Sequence, residues 1–206
     1  METFGAWCWI NFLRLIKQQN LNSQKVNGVG IYLGRNTQVI REDNIQGLDG
    51  YVDIGANDNV RTLGLQNFYG HVWNFLSNVI VRSASKVLIK KDFTNADTWP
   101  TYSNAVPSGW EELSISLPGI ATNNWVSEIS WNSNEPWYLY PSKYGGNDVE
   151  PIGDTCWNTV NNPFSVVIVG NGTGRGTSGG ALYWDSGSPL SLVNMIAGGR
   201  SLEIIL

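Results

Sequence analysis

Two apolar periods run along this chain, one confined to its start. Between residues 6 and 19, Trp9, Phe12, Leu13 and Ile16 recur at i, i+3, i+4 and i+7, the spacing of one face of a helix. Trp7 and Cys8 widen that face, and Asn20 and Asn22 mark its end. This is the one convincing helix, and the stripe gives it an apolar face. Beyond it the apolar runs are short and separated by Gly, Asn, Ser and Pro, which punctuate strands rather than helices. Residues 29–33 and 39–40 are candidate strands, and 45–59 reads as loop. Residues 67–70 predict a turn, followed by extended structure through Val72, Trp73, Phe75 and Leu76, with a short helix as the alternative. The β-branched run 79–81 and the run 87–89 predict a hairpin. From 92 to 160 polarity rises, Pro100 and Pro107 interrupt the pattern, and an irregular insertion is expected, holding short strands near 115–117, 125–129 and 155–157.

The last forty residues differ in kind. Apolar runs at 166–169 and 203–206 bracket a stretch of Gly, Ser, Thr and Asn, with a short strand expected at 181–185. So polar a stretch has little surface with which to build a core, and the expectation is a surface held by flanking strands. Its candidate ligand-binding residues are Asn171, Thr173, Arg175, Thr177, Ser178, Tyr183, Trp184, Asp185, Ser186, Ser188, Ser191 and Asn194. Small hydroxyls and amides would supply adaptable hydrogen bonds, and Arg175, Tyr183 and Trp184 would anchor. An ordinary polar loop is the alternative.

Composition narrows the class. The 206 residues suit one domain; ten Trp, eight Tyr and six Phe in a chain only 15% charged indicate a large aromatic core. A net charge of −4 without a basic stripe argues against nucleic acid. No apolar run approaches the roughly 20 residues of a membrane helix. The first twenty residues lack the basic start and small-residue cleavage site of a signal peptide. Cys8 and Cys156 lie far apart beside Trp residues and read as buried thiols, with a disulfide or a reactive thiol as alternatives.

Most catalytic chemistries find no footing. Gly170, Gly172, Gly174 and Gly176 lack the Lys-Ser/Thr of a phosphate loop and the helix that follows a dinucleotide loop. His71 is the only histidine, with no partner in view for a triad or zinc site. Asn134-Glu135-Pro136 and Gly146-Asn147-Asp148 carry oxygens that could hold calcium, without the Glu-Pro-Asn order familiar in C-type lectins. No metal, cofactor or catalytic residue is therefore assigned. Asn67, Gly70 and Trp73 are expected to be structural, Gly70 by its turn and Trp73 by filling the core. Arg200 is expected to be a buried arginine that satisfies backbone carbonyls, with ligand binding as the alternative.

Two blocks together carry a resemblance. Residues 63–75, LGLQNFYGHVWNF, resemble a "G-[LI]-x-N-x-x-G-N-V-W" block; 176–183, GTSGGALY, followed by Gly198-Gly199-Arg200, resembles a closing "G-x-x-x-G-x-[FL]-[YS] … G-x-R" block. Both are similar to C-type-lectin-like domains of the formylglycine-generating-enzyme type, as found on phage tail fibres and in variable proteins diversified by retroelements. The opening helix followed by Asn22-Ser23-Gln24 resembles gut-phage members of that group. The resemblance implies an α+β C-type-lectin-like fold of short antiparallel strands, one main N-terminal helix and much loop. It implies structural roles for Gly180, Gly198 and Arg200, and a non-enzymatic receptor-binding protein on a virion fibre or bacterial surface. The implied target is a bacterial surface protein or glycan, with a homotrimer compatible. The chain departs from the group at Thr173, where an aromatic residue is usual. It also lacks any cysteine between 170 and 200, where the enzymes of the superfamily carry theirs. A formylglycine-generating or sulfoxide-synthase-like enzyme, or a virion decoration protein without receptor role, are the alternatives.

Overall fold

The computed structural model describes residues 2–27, 61–63, 65–66, 68–70, 73–90, 99–100, 105–119, 124–133, 138–158, 163–171, 178–191 and 197–198. The chain opens with a two-residue strand, β1 (Glu2–Thr3), and helix α1 (Phe4–Gln18). The Thr3 hydroxyl caps α1 by accepting the Ala6 N–H at 3.2 Å. Gln19, in the left-handed region at φ 49°, closes it by donating its N–H to the Leu15 carbonyl at 2.9 Å. A single turn, α2 (Ser23–Asn27), follows.

α1 lies where the periodicity puts it, but rotated. Phe4, Trp7, Cys8, Ile10, Asn11 and Arg14 are buried, whereas Trp9, Leu13 and Ile16 are exposed. Three of the four stripe residues thus face out, and Phe12 packs at the margin of the core. Size does not decide the face, since Trp9 and Phe12 match Trp7 and Phe4; the inner pair is the one that meets ring partners in Tyr138 and Trp184, while Asn11 and Arg14 follow inward and must be satisfied there.

The sheet is mixed rather than wholly antiparallel, and curls into a partial barrel. Its strands are β4 (Trp73–Arg82), β5 (Lys86–Ile89), β6 (Glu111–Ser116), β7 (Asn124–Trp131), β8 (Leu139–Tyr144), β9 (Thr155–Asn158), β10 (Phe164–Val169), β11 (Trp184–Ser186) and β12 (Ala197–Gly198). They run in the order β6-β5-β4-β10-β11-β9-β7-β8, with β1 and β12 also pairing β4. A separate hairpin joins β2 (Arg61–Thr62) to β3 (Leu65–Gln66). β4 organises the whole. One edge pairs β10; the other pairs β1 and β12 in parallel over its first half and β5 over its second. The change of partner falls at Asn78, whose φ of 64° breaks the strand geometry. The hairpin expected between 79–81 and 87–89 forms, with Val79 opposite Ile89 and Val81 opposite Val87.

Residues 92–160 are not an irregular insertion, since their described part supplies β6, β7, β8 and β9 to the same sheet. Pro141 lies inside β8. Proline gives no N–H to a ladder, and it is tolerated here because β8 is the last strand in the order. The two ends of the sheet approach each other at Pro118, whose carbonyl accepts from the Tyr144 hydroxyl at 3.1 Å and the Asn158 amide at 3.1 Å.

The core sits between this curl and α1. Phe4 stacks on Tyr138 with centroids 5.1 Å apart and meets Trp184 edge-on at 5.8 Å; Trp7 meets the same indole at 6.1 Å. Ile80, Leu88 and Phe164 form a smaller cluster of their own, covered by Trp99, Trp110 and Leu190. Cys8 and Cys156 are buried thiols, not joined in a disulfide. No helix among the described residues is long and apolar enough to cross a membrane.

Candidate functional site

The segment 172–177 lies outside the described residues, but both points from which it springs are fixed. β10 delivers the chain to Gly170, whose carbonyl accepts the Gly70 N–H at 2.6 Å. Gly170 has φ 80° and Gly70 φ 74°, conformations that glycine reaches without strain. Asn171 follows, 1% exposed with φ 54°, and its side-chain carbonyl accepts the Trp73 indole N–H at 3.1 Å. Asparagine is the residue other than glycine that best tolerates this region.

The other stem, from Ser178 to Leu182, is held by a buried polar cluster. The Thr155 hydroxyl donates to the Ser178 carbonyl at 2.9 Å. Asp154 Oδ1 accepts the Gly180 N–H at 2.6 Å and the Gln24 amide at 2.8 Å; Oδ2 accepts the Leu182 N–H at 2.8 Å. Ser23 Oγ accepts the Ala181 N–H at 2.8 Å, and the Ser23 carbonyl accepts from the Tyr69 hydroxyl at 2.9 Å. Three successive N–H groups of the tail are thereby taken by two side chains from remote segments. A Cβ at Gly180 would run into Asp154 Oδ1 and Ser23 Oγ, so only glycine lets the backbone come this near.

Arg14 stands behind the cluster, fully buried, with Nε donating to Asn11 Oδ1 and Nη1 to Gln18 Oε1 and the Asn20 carbonyl, each at 3.2 Å. Burial lowers the guanidinium from its ordinary value, and the Asp154 charge offsets part of this. Burial likewise pushes the Asp154 carboxyl up to about 6, against the pull of its backbone and Gln24 donors and of Arg14.

Several expected surface residues turn out to be core. Tyr183, Trp184 and Ser186 are fully buried and Asp185 is 7% exposed. Trp184 donates its indole N–H to Ser186 Oγ at 3.2 Å, and that hydroxyl donates to Asn158 Oδ1 at 2.9 Å. Asp185 accepts the Gly187 N–H at 2.8 Å and the Tyr183 hydroxyl at 3.4 Å. These four residues and Asn171 are therefore not on an exposed face. The short strand β11 is paired on both edges, by β10 and β9, and all three of its residues are buried, Trp184 against Phe4 and Trp7 from α1.

Ser178 and Ser188 are half-buried and Ser191 is exposed; Thr173, Arg175, Thr177 and Asn194 lie outside the described residues. Among the residues assigned structural roles, Gly70 has φ 74°, a Cβ at Gly180 would meet Asp154 and Ser23, Gly198 lies in β12 opposite Asn74, and Asn67 and Arg200 lie outside the described residues. Trp73 does not fill the core: it is half-buried at the start of β4, where its indole ties to Asn171. His71 and Asn134-Glu135-Pro136 also lie outside the described residues. Asn147 Oδ1 accepts the N–H groups of Val149 and Glu150, so this calcium candidate spends its oxygen on its own turn. Among the described residues no three His, Cys, Asp or Glu side chains gather as metal ligands would.

Sequence reading missed Asp154, Arg14 and the role of Ser23. Asp154 sits in an unremarkable Gly-Asp-Thr, and Arg14 reads as the exposed side of a helix. The one signal was Asn22-Ser23-Gln24, noted only for its resemblance to gut-phage sequences. Comparison with family models, curated proteins and solved structures gives no match for this chain.

Proposed function

We propose that this chain is a non-enzymatic recognition module on a C-type-lectin-like scaffold, of the kind carried by phage fibres and retroelement-diversified proteins. Its target would be a protein or glycan of a bacterial surface. One observation carries the reading: the residues on either side of 172–177, Gly170–Asn171 and Ser178–Leu182, are hydrogen-bonded to three remote segments, 23–24, 70–73 and 154–155. Such posts let a loop change its side chains without disturbing the core, which is the general design of binding loops on rigid scaffolds. With Tyr183 and Trp184 committed to the interior, recognition falls to Thr173, Arg175 and Thr177, joined by Ser188, Ser191 and Asn194. Arg175 is the one charged side chain between the stems and the natural anchor.

The enzyme alternative would need a reactive thiol. Burial pushes the Cys156 thiol up to about 12, and Cys8 is buried on the inner face of α1. A thiol so placed is a poor nucleophile.

The test is a triple substitution, Thr173→Ala, Arg175→Ala and Thr177→Ala, measured for thermal unfolding and for adsorption to a panel of bacterial envelopes. Unfolding should stay close to wild type, since surface changes usually cost within about 0.5 kcal/mol each, and adsorption should disappear. Unchanged adsorption would place the receptor site elsewhere.

A further inference from the structure

Strand residues alternate between the two faces of a sheet, and the register sorts them here. Trp184 and Cys156 stand opposite each other on the face toward α1, where Trp184 meets Phe4 and Trp7. The residues beside them point the other way. Phe75, Ile168, Asp185 and Trp157 form one row across β4, β10, β11 and β9 on that second face. Trp73 stands two positions before Phe75, and Trp125 is opposite Thr155, two positions before Trp157, so both indoles join the same face. From Trp73 to Trp125 there are four interstrand steps of about 4.8 Å, roughly 19 Å in all. Both stems of the segment 172–177 meet this face as well: Asn171 accepts from the Trp73 indole, and Thr155 donates to the Ser178 carbonyl.

The three indoles are half-buried, whereas Ile168 is fully buried and Thr155 and Asp185 are 4% and 7% exposed. Trp157 lies on the backbone of Gly187, where an added Cβ would come within 2.7 Å of its Cδ1 and Nε1. A ring so held is set before a ligand arrives, which lowers the ordering cost of binding. A stable protein partner covers roughly 800 Å² per side around a contiguous apolar centre. Among the described residues this face has no such centre: its middle is closed, and apolar surface is offered only as separate indoles with Thr155 and Asp185 between them. A pyranose ring suits that pattern, because its C–H face packs flat on an indole and its hydroxyls need polar neighbours. Linked rings repeat the pattern along their length. Asp185, fixed by the Gly187 N–H and the Tyr183 hydroxyl, sets a carboxylate beside Trp157 and disfavours an acidic sugar. We propose that, on the recognition reading above, Trp73, Trp125 and Trp157 form a stacking platform for a neutral oligosaccharide, so that the target is a glycan and not a protein.

The test titrates the full chain calorimetrically with hexasaccharides of glucose, mannose and galactose, and with a galacturonate hexamer. At least one neutral hexamer should bind, and the acidic one should not. Trp125→Ala and Trp157→Ala should each weaken binding about tenfold or more, whereas Trp125→Phe and Trp157→Phe, which keep an aromatic face, should stay within about threefold of wild type. Trp110→Ala, at a half-buried indole packed against Ile80, Leu88 and Phe164, should leave binding unchanged. Adsorption to bacterial envelopes should survive protease treatment of the envelopes and disappear after periodate cleaves their vicinal diols. Binding of no neutral hexamer, equal binding of the acidic one, or equal losses from Trp110→Ala and the platform variants overturns the proposal. Adsorption lost to protease but not to periodate overturns it too, naming a protein target, and leaves the recognition reading standing. That reading falls instead if the triple substitution at Thr173, Arg175 and Thr177 leaves adsorption unchanged.

Discussion

Trp73 donates its indole N–H to the side chain of Asn171 at 3.1 Å, joining the first residue of β4 to the residue just beyond β10. The two are 98 positions apart in sequence, and the bond sets where the chain leaves the sheet for the segment 172–177. Asn171 is buried with φ 54°, so it answers both a hydrogen-bond need and a backbone need. Asn171→Ala should therefore lose about 1–3 kcal/mol for the broken buried bond, and somewhat more because alanine tolerates the left-handed region less well than asparagine. Asn171→Gly keeps the backbone and should cost less than Asn171→Ala. Urea unfolding of the pair decides it, and equal losses would show that the backbone conformation carries no weight.

The indoles Trp73 and Trp184 make a contrasting pair. Trp184 is fully buried against Phe4 and Trp7, whereas Trp73 is half-buried. Trp184→Ala should cost about 3–5 kcal/mol, the range for emptying a large aromatic site, and Trp73→Ala clearly less. Thermal unfolding in parallel checks the order. Reversed losses would mean that the core is centred on β4 rather than beneath α1.

What the sequence disclosed and concealed follows from the physics of each element. The helix at residues 4–18 and the 79–89 hairpin were legible because their signals are local: a 3.6-residue period, and β-branched runs across a short turn. Which face of α1 turns inward was not, because both faces are apolar and the choice is made by Tyr138 and Trp184, more than a hundred residues away. The tail was misjudged for a similar reason. Tyr183 to Ser186 look like surface by composition, yet Trp184 is covered by Phe4 and Trp7 and Ser186 bonds Asn158, partners from remote segments. The stems of the candidate loop rest on Asp154 and Ser23, polar residues whose significance lies wholly in what they meet.

Asp154 gives the chain a testable pH dependence. Its carboxyl, pushed by burial from 3.8 up to about 6, holds its proton more tightly folded than unfolded. Stability from this group is therefore complete below about pH 4 and is lost as pH rises through about 6. The loss is bounded at about 3 kcal/mol, since each pKa unit corresponds to about 1.36 kcal/mol. Asp154→Asn removes the titration while other carboxylates still contribute, so the difference between wild type and variant isolates it. Denaturant unfolding from pH 4 to 7 should show wild type losing ground to the variant as pH rises. A gap moving the other way would mean that the donors from Gly180, Leu182 and Gln24, with Arg14, outweigh desolvation.

The closeness of the tail to Asp154 and Ser23 should be visible at a single glycine. A methyl at Gly180 would strike Asp154 Oδ1 and Ser23 Oγ, both already engaged by neighbouring N–H groups and held in a packed interior. Gly180→Ala should cost about 1–3 kcal/mol, as overpacking does, and should shift the stem of the segment 172–177. Gly109 provides the control: its φ is 79° but an added Cβ would meet nothing within 4 Å, so Gly109→Ala brings backbone strain without a clash. Both variants should lose stability. Only Gly180→Ala should also lose adsorption to bacterial envelopes, although every side chain from 172 to 177 is untouched. If Gly109→Ala lost adsorption equally, the effect would be general destabilisation, and the stem would have no special hold on recognition. If Gly180→Ala bound normally despite its lost stability, recognition would not depend on how the tail is seated. The expected result is the separation of the two, because Gly180 is where the tail backbone touches the cluster that fixes it.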